Sequence, residues 1–311
     1  MLQSMTNNKK IVFSDILPVV LMGFLFIVIP GLALLIAGPF EAAGIKAFEN
    51  PDDPMNLVYI FIILLVVTAL ILLIAKFWKK QLIQVIILFA IGYTSVYVFY
   101  PLFAIVVSDF ISVILSIAVA VVLVLTLFKY PEWYVIDVCG IIIGAGAIAI
   151  FGASLGVSLV IILLIALAIY DAISVYKTKH MIDLADTVMD LKLPVLLVVP
   201  KIRHYSLIKE TKRLKEKLKN GEERDAFFMG LGDIVMPGIL VAASFHFIDN
   251  GLPIALSVII GTLVGFTLLM TFVMKGKPQA GLPFLGGGAI LGYVVSSYLQ
   301  FGYLAGLSFP I

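Results

Sequence analysis

The sequence predicts an all-α fold, a polytopic membrane protein with about nine transmembrane helices, and three observations carry that prediction. Hydrophobic residues make up 62% of the 311 positions, charged residues only 13%, and the mean hydropathy is +1.16. Apolar runs long enough to cross a bilayer recur along the chain. The basic residues are concentrated in alternate connectors between these runs. This composition excludes an ordinary soluble domain.

We expect one membrane domain over residues 1–311. The first apolar run is too long for a cleaved signal peptide and lacks a small-residue cleavage site, so it is interpreted as a helix. Tyr100-Pro101 should end the third span, and the glycines and alanines of the fifth suit close helix approach. The predicted spans cover about 16–37, 57–75, 82–99, 110–128, 135–151, 154–176, 226–248, 252–274 and 285–304.

One long polar segment interrupts this pattern. Residues 177–225 contain twelve lysines and arginines and should form a loop between spans six and seven, followed by spans seven to nine in residues 226–311. Within the loop, the stretch from Leu193 to Val199 is too short to span and is flanked by prolines. Flanking prolines and β-branched valines predict an extended segment that can pair with a strand.

The distribution of basic residues predicts the orientation. With a cytoplasmic amino terminus, the inside segments hold twenty of the twenty-one basic residues, and only Lys46 lies outside. Without the long loop the ratio is still eight to one. The positive-inside rule therefore predicts a cytoplasmic amino terminus and loop, and an external carboxyl terminus.

Two acidic residues lie well inside apolar spans. Holding a carboxylate at membrane depth costs about 3 kcal/mol or more unless it is partnered or neutralised, so such a residue suggests function. Asp171 precedes Lys177, at the inner end of span six, by six residues, and Asp233 follows Asp225 by eight. If the segments from Asp171 to Lys177 and from Asp225 to Asp233 are helical, the two carboxylates lie roughly 9 and 12 Å below the same face of the membrane. Asp109 lies at the entrance of span four, where water can reach it, and Asp137, about one turn inside the edge of span five, is better explained as a structural residue at the interface.

Two facing carboxylates suit peptide hydrolysis. They cannot both ionise cheaply, so one keeps a proton and can act as the acid while the other acts as the base. Gly230 and Gly232 would let an extended peptide approach Asp233 closely. Spacing and depth alone agree equally well with another interpretation, in which the glycines pack helices and the aspartates form a proton or cation path.

A third element lies near the same face. The stretch from Gly281 to Gly288 begins shortly after Lys277 and contains Pro283 and three successive glycines. Such residues disfavour a regular helix start, so we expect some irregular backbone there. Irregular backbone at membrane depth is tolerated only where it is buried in protein or lines a wet cavity.

Together these motifs resemble the presenilin and signal-peptide-peptidase family of intramembrane aspartyl proteases. The resemblance rests on Tyr170-Asp171 in span six, on a Gly-x-Gly-Asp motif in span seven, and on a third motif before span nine. It implies Asp171 and Asp233 as the catalytic pair. The residues implied to bind substrate or shape the site are Tyr170, Gly230, Leu231, Gly232, Leu282, Pro283, Phe284 and Leu285.

The resemblance also implies an orientation, substrates and partners. A cytoplasmic amino terminus is similar to presenilins, since signal peptide peptidases are inverted, and the short tails resemble archaeal presenilin homologues. Those homologues imply activity without obligate partner subunits, on single-span helices of membrane proteins in the lipid bilayer. Phe284 replaces the alanine usual in the family motif, so it should narrow the cleft. Neither a cofactor nor a nucleic-acid partner is implied.

Two alternatives differ in chemistry or mechanism. A prepilin-peptidase-like protease also uses an intramembrane Gly-x-Gly-Asp motif, but the third motif and the nine-span layout argue against it. A cation or proton transporter could use the aspartates as a relay, although no paired broken spans in repeated halves are visible. A metal is not expected, because the three histidines share no ligand spacing and Cys139 is the only cysteine.

Overall fold

The computed structural model describes residues 13–77, 80–178, 196–202, 205–207, 226–274 and 279–307. Within these ranges the chain forms nine α-helices, a π-helical turn and a two-stranded antiparallel sheet. The helices are α1 (Phe13–Ala42), α2 (Met55–Phe77), α3 (Lys80–Ala104), α4 (Asp109–Lys129), α5 (Trp133–Gly152), α6 (Val157–Ile173), α7 (Leu231–Phe247), α8 (Leu252–Val273) and α9 (Leu282–Phe301). The π-helical turn is Ser174–Thr178, and the strands are β1 (Leu196–Pro200) and β2 (Ala226–Gly230). The predicted helical membrane fold is confirmed.

The outer surface is that of a membrane protein. Among the described residues, seven helices are long and apolar enough to cross a bilayer, and shorter apolar stretches, 55–71 and 231–247, lie in α2 and α7. Large apolar side chains such as Phe89 and Leu299 are exposed, at 73% and 84%. Extended apolar surface of this kind suits contact with lipid.

Helix α7 lies at the centre of the molecule. It contacts α1, α5, α6, α8 and α9. Its buried side chains join two apolar clusters, one with α6, α8 and α9 around Leu164 and Tyr293, and one with α1, α5 and α8 around Phe26 and Phe266. The start of α7 is therefore held from several sides, and Asp233 lies there.

Glycines bring α8 and α9 into backbone contact. A side chain at Gly261 or Gly265 of α8 would overlap the backbone of α9, and one at Gly288 or Gly292 would overlap that of α8. Both pairs have the small-xxx-small spacing that allows membrane helices to approach closely. The prediction of close packing along α5 is also confirmed, since a side chain at Gly146 would overlap Val98 of α3.

The predicted start of span seven is wrong. Ala226–Gly230 forms β2 rather than helix, and α7 begins only at Leu231. The helical path from Asp225 that we used to estimate the depth of Asp233 therefore does not exist. The strand forms because β1 supplies a ladder partner in the register Leu196 to Gly230, and because aromatic residues such as Phe227 and Phe228 favour strands. Residues 193–195 lie outside the described residues, but the extended conformation predicted for 196–199 is confirmed.

Two predictions about prolines and glycines are also wrong. Helix α3 continues through Pro101 to Ala104, as membrane helices do when neighbouring groups satisfy the freed backbone. The three successive glycines, 286–288, lie inside α9 and are regular helix. Pro283 sits in the first turn of α9, where its missing N–H is not needed, so it starts the helix instead of breaking it.

Candidate active site

Asp171 lies in the last turn of α6 and is only 4% exposed. The backbone N–H of Leu282, the first residue of α9, donates to its Oδ2 atom at 3.0 Å, and the N–H of Gly281 also faces the carboxylate. The first N–H groups of a helix lack partners within it and carry partial positive charge. Gly281 has no side chain that could cap α9, so Asp171 supplies the cap from another helix.

Asp233 is the third residue of α7 and is partly buried. Gly230 is the N-cap of this helix, and its backbone N–H faces the Asp233 carboxylate. This is half of a capping box, in which the side chain three residues into a helix accepts from the N-cap N–H. The spacing of Gly230-Leu231-Gly232-Asp233 thus has a local structural cause: it places the carboxylate at the end of β2.

Gly281 brings the two carboxylates to one place. Its peptide faces Asp171, and a methyl group on its Cα would lie 3.4 Å from Asp233 Oδ2 and 3.6 Å from Oδ1. A methyl group on Gly230 would lie 3.3 Å from the same Oδ2. The two aspartates interact electrostatically. The site therefore forms where the carboxyl end of α6 meets the amino ends of α7 and α9.

A hydrogen bond beside the site reinforces this junction. The Tyr176 hydroxyl, in the π-helical turn after α6, donates to Gln279 Oε1 at 2.6 Å. Gln279 precedes Gly281 by two residues. Nothing in the sequence pattern singled out this pair, because its members are 103 positions apart.

The remaining predicted site residues have different environments. A side chain at Gly232 would meet open space, whereas Leu231 packs against Gly144 of α5. Phe284 packs against Phe272 of α8 with ring centroids 5.6 Å apart. The others are Tyr170, which is 48% exposed, Leu285, which is fully buried, and Leu282 and Pro283, which are partly buried.

The β1–β2 sheet leads directly to Asp233, and the sequence predicted only the extended segment of β1. Leu197 and Val199 of β1, with Phe227 and Met229 of β2, pack against the cluster that contains Ile234 and Leu285. The opposite face, with Val198 and Phe228, packs toward α3 and α5. Asp137, expected to be structural, accepts a hydrogen bond from the Val198 N–H. No sequence signal indicated that its partner would be a strand.

Comparison with known proteins finds a family model and solved structures that match most of the chain. The family model for signal-peptide peptidase, presenilin aspartyl protease matches residues 23–302. Two solved structures of a presenilin family intramembrane aspartate protease are similar. One, in space group C222, is 32% identical with a TM-score of 0.66. The match covers 92% of this chain and 99% of the chain in that structure. The other, in space group P2, is 35% identical with a TM-score of 0.67 and covers 91% and 98%. No curated protein sequence matched.

Proposed function

The chain belongs to the signal-peptide peptidase and presenilin family and is a multi-pass intramembrane aspartyl protease, and on that premise we propose that Asp171 and Asp233 are its catalytic pair. The observation that carries this proposal is the contact of both carboxylates with Gly281. An acid and a base must reach the same peptide bond, and here they lie on either side of one backbone segment.

The proposed reaction uses the pair as a unit that holds one proton. The ionised member removes a proton from a water molecule while the water oxygen attacks the carbonyl carbon. The protonated member donates its proton to the carbonyl oxygen. In the second step the newly protonated member donates to the amide nitrogen while the C–N bond breaks. The other member takes a proton from the diol, which restores the starting state. The rate should fall when both carboxylates are protonated and when both are ionised.

The substrate is a transmembrane helix of another membrane protein, unwound near the scissile bond. We place its extended segment along the edge of β2 that no strand among the described residues covers, because Gly230 at the end of this strand directs its N–H at Asp233. Adding a strand to an open edge would satisfy the backbone groups of the unwound segment. The open surface above Gly232 leaves room for a peptide to cross the pair.

Orientation and assembly belong to the same proposal. The amino terminus and residues 177–225 lie in the cytoplasm, the carboxyl terminus lies outside, and the chain cleaves without obligate partner subunits. The charge distribution supports this orientation, since only Lys46 falls on the outer side. The site supports independence from partners, because α6 and α7 of a single chain supply both carboxylates and the start of α9 supplies the backbone beside them.

Purified protein in detergent, incubated with a single-span substrate, tests the proposal. We expect cleavage that is blocked by an aspartyl-protease transition-state analogue. Asp171→Asn and Asp233→Asn should each abolish it, and the double variant should be no worse than either, because residues that act as a unit are not additive. Thermal unfolding should show that all three variants fold. A folded single variant that cleaves at near wild-type rate would refute the assignment.

A further inference from the structure

We propose that Asp137 is a positioning residue, which together with Glu132 clamps the β1–β2 sheet in the register that aligns a substrate with Asp233. This inference rests on the proposed docking of substrate along β2. Both carboxylates belong to the cytoplasmic end of α5, which precedes the catalytic helices in the chain and contributes no group to the catalytic pair. Their partners lie in or just after β1.

Asp137 accepts a hydrogen bond from a strand backbone. The Val198 N–H donates to Asp137 Oδ1 at 2.8 Å, and the two residues are only 2% and 9% exposed, respectively. A buried backbone N–H requires an acceptor, and leaving one without a partner is costly. Asp137 therefore ties the middle residue of β1 to α5 at a site that water does not readily reach.

Glu132 holds the chain after β1. It is the N-cap residue of α5, and its Oε1 accepts from the Ser206 hydroxyl at 2.7 Å while its Oε2 accepts from the Leu207 N–H at 3.0 Å. The two carboxylates, five positions apart on α5, thus bind the chain at Val198 and again eight and nine residues later. Together they hold the strand and the segment that leaves it.

The hydrogen bond from Val198 indicates which backbone groups of β2 point away from β1. In an antiparallel ladder the backbone groups of successive residues point to opposite sides. Since the Val198 N–H points to Asp137, the peptide groups of Leu197 and Val199 point toward β2, where they face Met229 and Phe227. The outer groups of β2 are then those of Ala226, Phe228 and Gly230. The Gly230 N–H faces Asp233, and no strand among the described residues pairs with the remaining outer groups, which we assign to a substrate strand.

Register is the property that this clamp controls. Slippage by one residue would turn every side chain of β1 to the other face, and slippage by two would move the strand by about 7 Å. An isolated two-stranded sheet is only marginally stable and needs packing or anchors. Because β2 runs directly into Gly230 and Asp233, an error in its position would shift the peptide bond presented to the pair.

Two substitutions separate hydrogen bonding from packing. Asp137→Asn keeps an acceptor for the Val198 N–H, whereas Asp137→Leu has a similar size and none. With a single-span substrate, we expect Asp137→Leu to raise KM about tenfold or more, in line with one unsatisfied buried N–H. Mass spectrometry of the products should show cuts displaced along the substrate. Asp137→Asn should retain the wild-type KM and cut position.

Controls separate positioning from a general loss of stability. Ser116→Ala removes a buried hydroxyl near the outer end of α4, where it bonds only to Ser112 O of its own helix. This variant should lower the melting temperature without changing KM or the cut position. Glu132→Ala should raise KM and displace the cut position in the same direction as Asp137→Leu, but by a smaller amount. Backbone hydrogen exchange of residues 196–200 should be faster in Asp137→Leu than in the wild type or Asp137→Asn. This exchange can be measured even in a variant with low activity.

The outcomes distinguish this inference from the proposed function. If the wild type does not cleave, or Asp233→Asn still cleaves, the proposed function fails. If the wild type cleaves and Asp233→Asn does not, while folded Asp137→Leu keeps the wild-type KM, cut position and exchange of β1, the clamp is refuted. A shift in cut position shown by Asp137→Leu and absent from Asp137→Asn and Ser116→Ala supports it.

Discussion

At the scale of single residues, Gly281 is as important to the site as the aspartates. Its backbone N–H faces Asp171, and the absence of its side chain leaves room for Asp233. The residue has ordinary right-handed helical angles, so no unusual conformation requires glycine at this position. What matters is the limited space: a methyl group would already be in ordinary contact with Asp233, 3.4 Å from a carboxylate oxygen, so a larger side chain would press on the carboxylate.

We predict that Gly281→Val lowers kcat about a hundredfold, because a displacement of about 1 Å in a catalytic group can cost that much. Gly281→Ala should keep near wild-type kcat, because its methyl group would make only ordinary contact with Asp233. Single-turnover cleavage assays measure both. Gly287→Ala is the matched control, since a side chain there meets nothing within 4 Å. Equal activity of the valine variant and the wild type would show that Gly281 does not limit the position of Asp233.

Phe284 stands where the resemblance to the family implies an alanine. We predict that Phe284→Ala widens the range of side chains accepted beside the cut, since a methyl group replaces a benzyl group next to the site. A library of substrates that differ at one position would measure this range. Phe272→Ala is the control, because it removes the ring that packs on Phe284 and keeps Phe284 itself. An unchanged profile would mean that Phe284 acts only in packing α9 on α8.

At the scale of elements, the site depends on how helix ends are held. Asp171 is positioned by the end of α6 and Asp233 by the start of α7, while α9 supplies the backbone that both contact. The position of α9 is determined by its crossing with α8, where glycines on both helices allow backbone contact. The geometry of the pair is thus linked to a contact several turns away along α9.

We predict that Gly288→Leu reduces both stability and activity, because its side chain would overlap Gly261 and push α9 from α8. Overpacking of this kind typically costs about 1–3 kcal/mol in stability. The same displacement would lengthen the bond between the Leu282 N–H and Asp171. Thermal unfolding and cleavage assays should show both effects. Gly287→Leu, one position earlier and facing open space, should show neither, and equal behaviour of the two variants would contradict this account.

At the scale of the whole molecule, the distribution of basic residues predicts how the chain is oriented in the membrane. The positive-inside rule assigns residues 177–225 and the amino terminus to the cytoplasm. Strand β1, within this loop, and strand β2, directly after it, would then lie toward the cytoplasmic side, together with Asp171 and Asp233. A substrate helix would be cut near its cytoplasmic end.

We predict that reporter fusions at Asn220 and after Ile311 give opposite compartment signals, with Asn220 in the cytoplasm. Both positions lie outside the described residues, so the prediction rests on the lysine and arginine distribution. A fusion at Glu49, in the connector that carries Lys46, should agree with the carboxyl terminus. If Asn220 and the carboxyl terminus report the same compartment, the number of membrane crossings or the charge argument is wrong.

The sequence by itself determined the properties that depend on composition, spacing and short motifs. The nine helices could be predicted because apolar runs of bilayer length have few other stable states. Asp171 and Asp233 could be singled out because carboxylates inside such runs are costly and rare. The extended segment of β1 was predictable from its prolines and valines.

Only the tertiary structure decided where those parts meet. Ala226–Gly230 forms a strand because β1, far away in sequence, offers a ladder partner, and pairing outweighs the local preference of an apolar run for helix. Pro283 starts α9, and glycines 286–288 stay helical in a helix that packs against α8 at Gly288 and against Leu164 of α6 at Gly286. Gly281, Gln279 and Asp137 carry no local signal, since each owes its role to a partner more than 45 positions away. Contacts of that range depend on the folded chain as a whole.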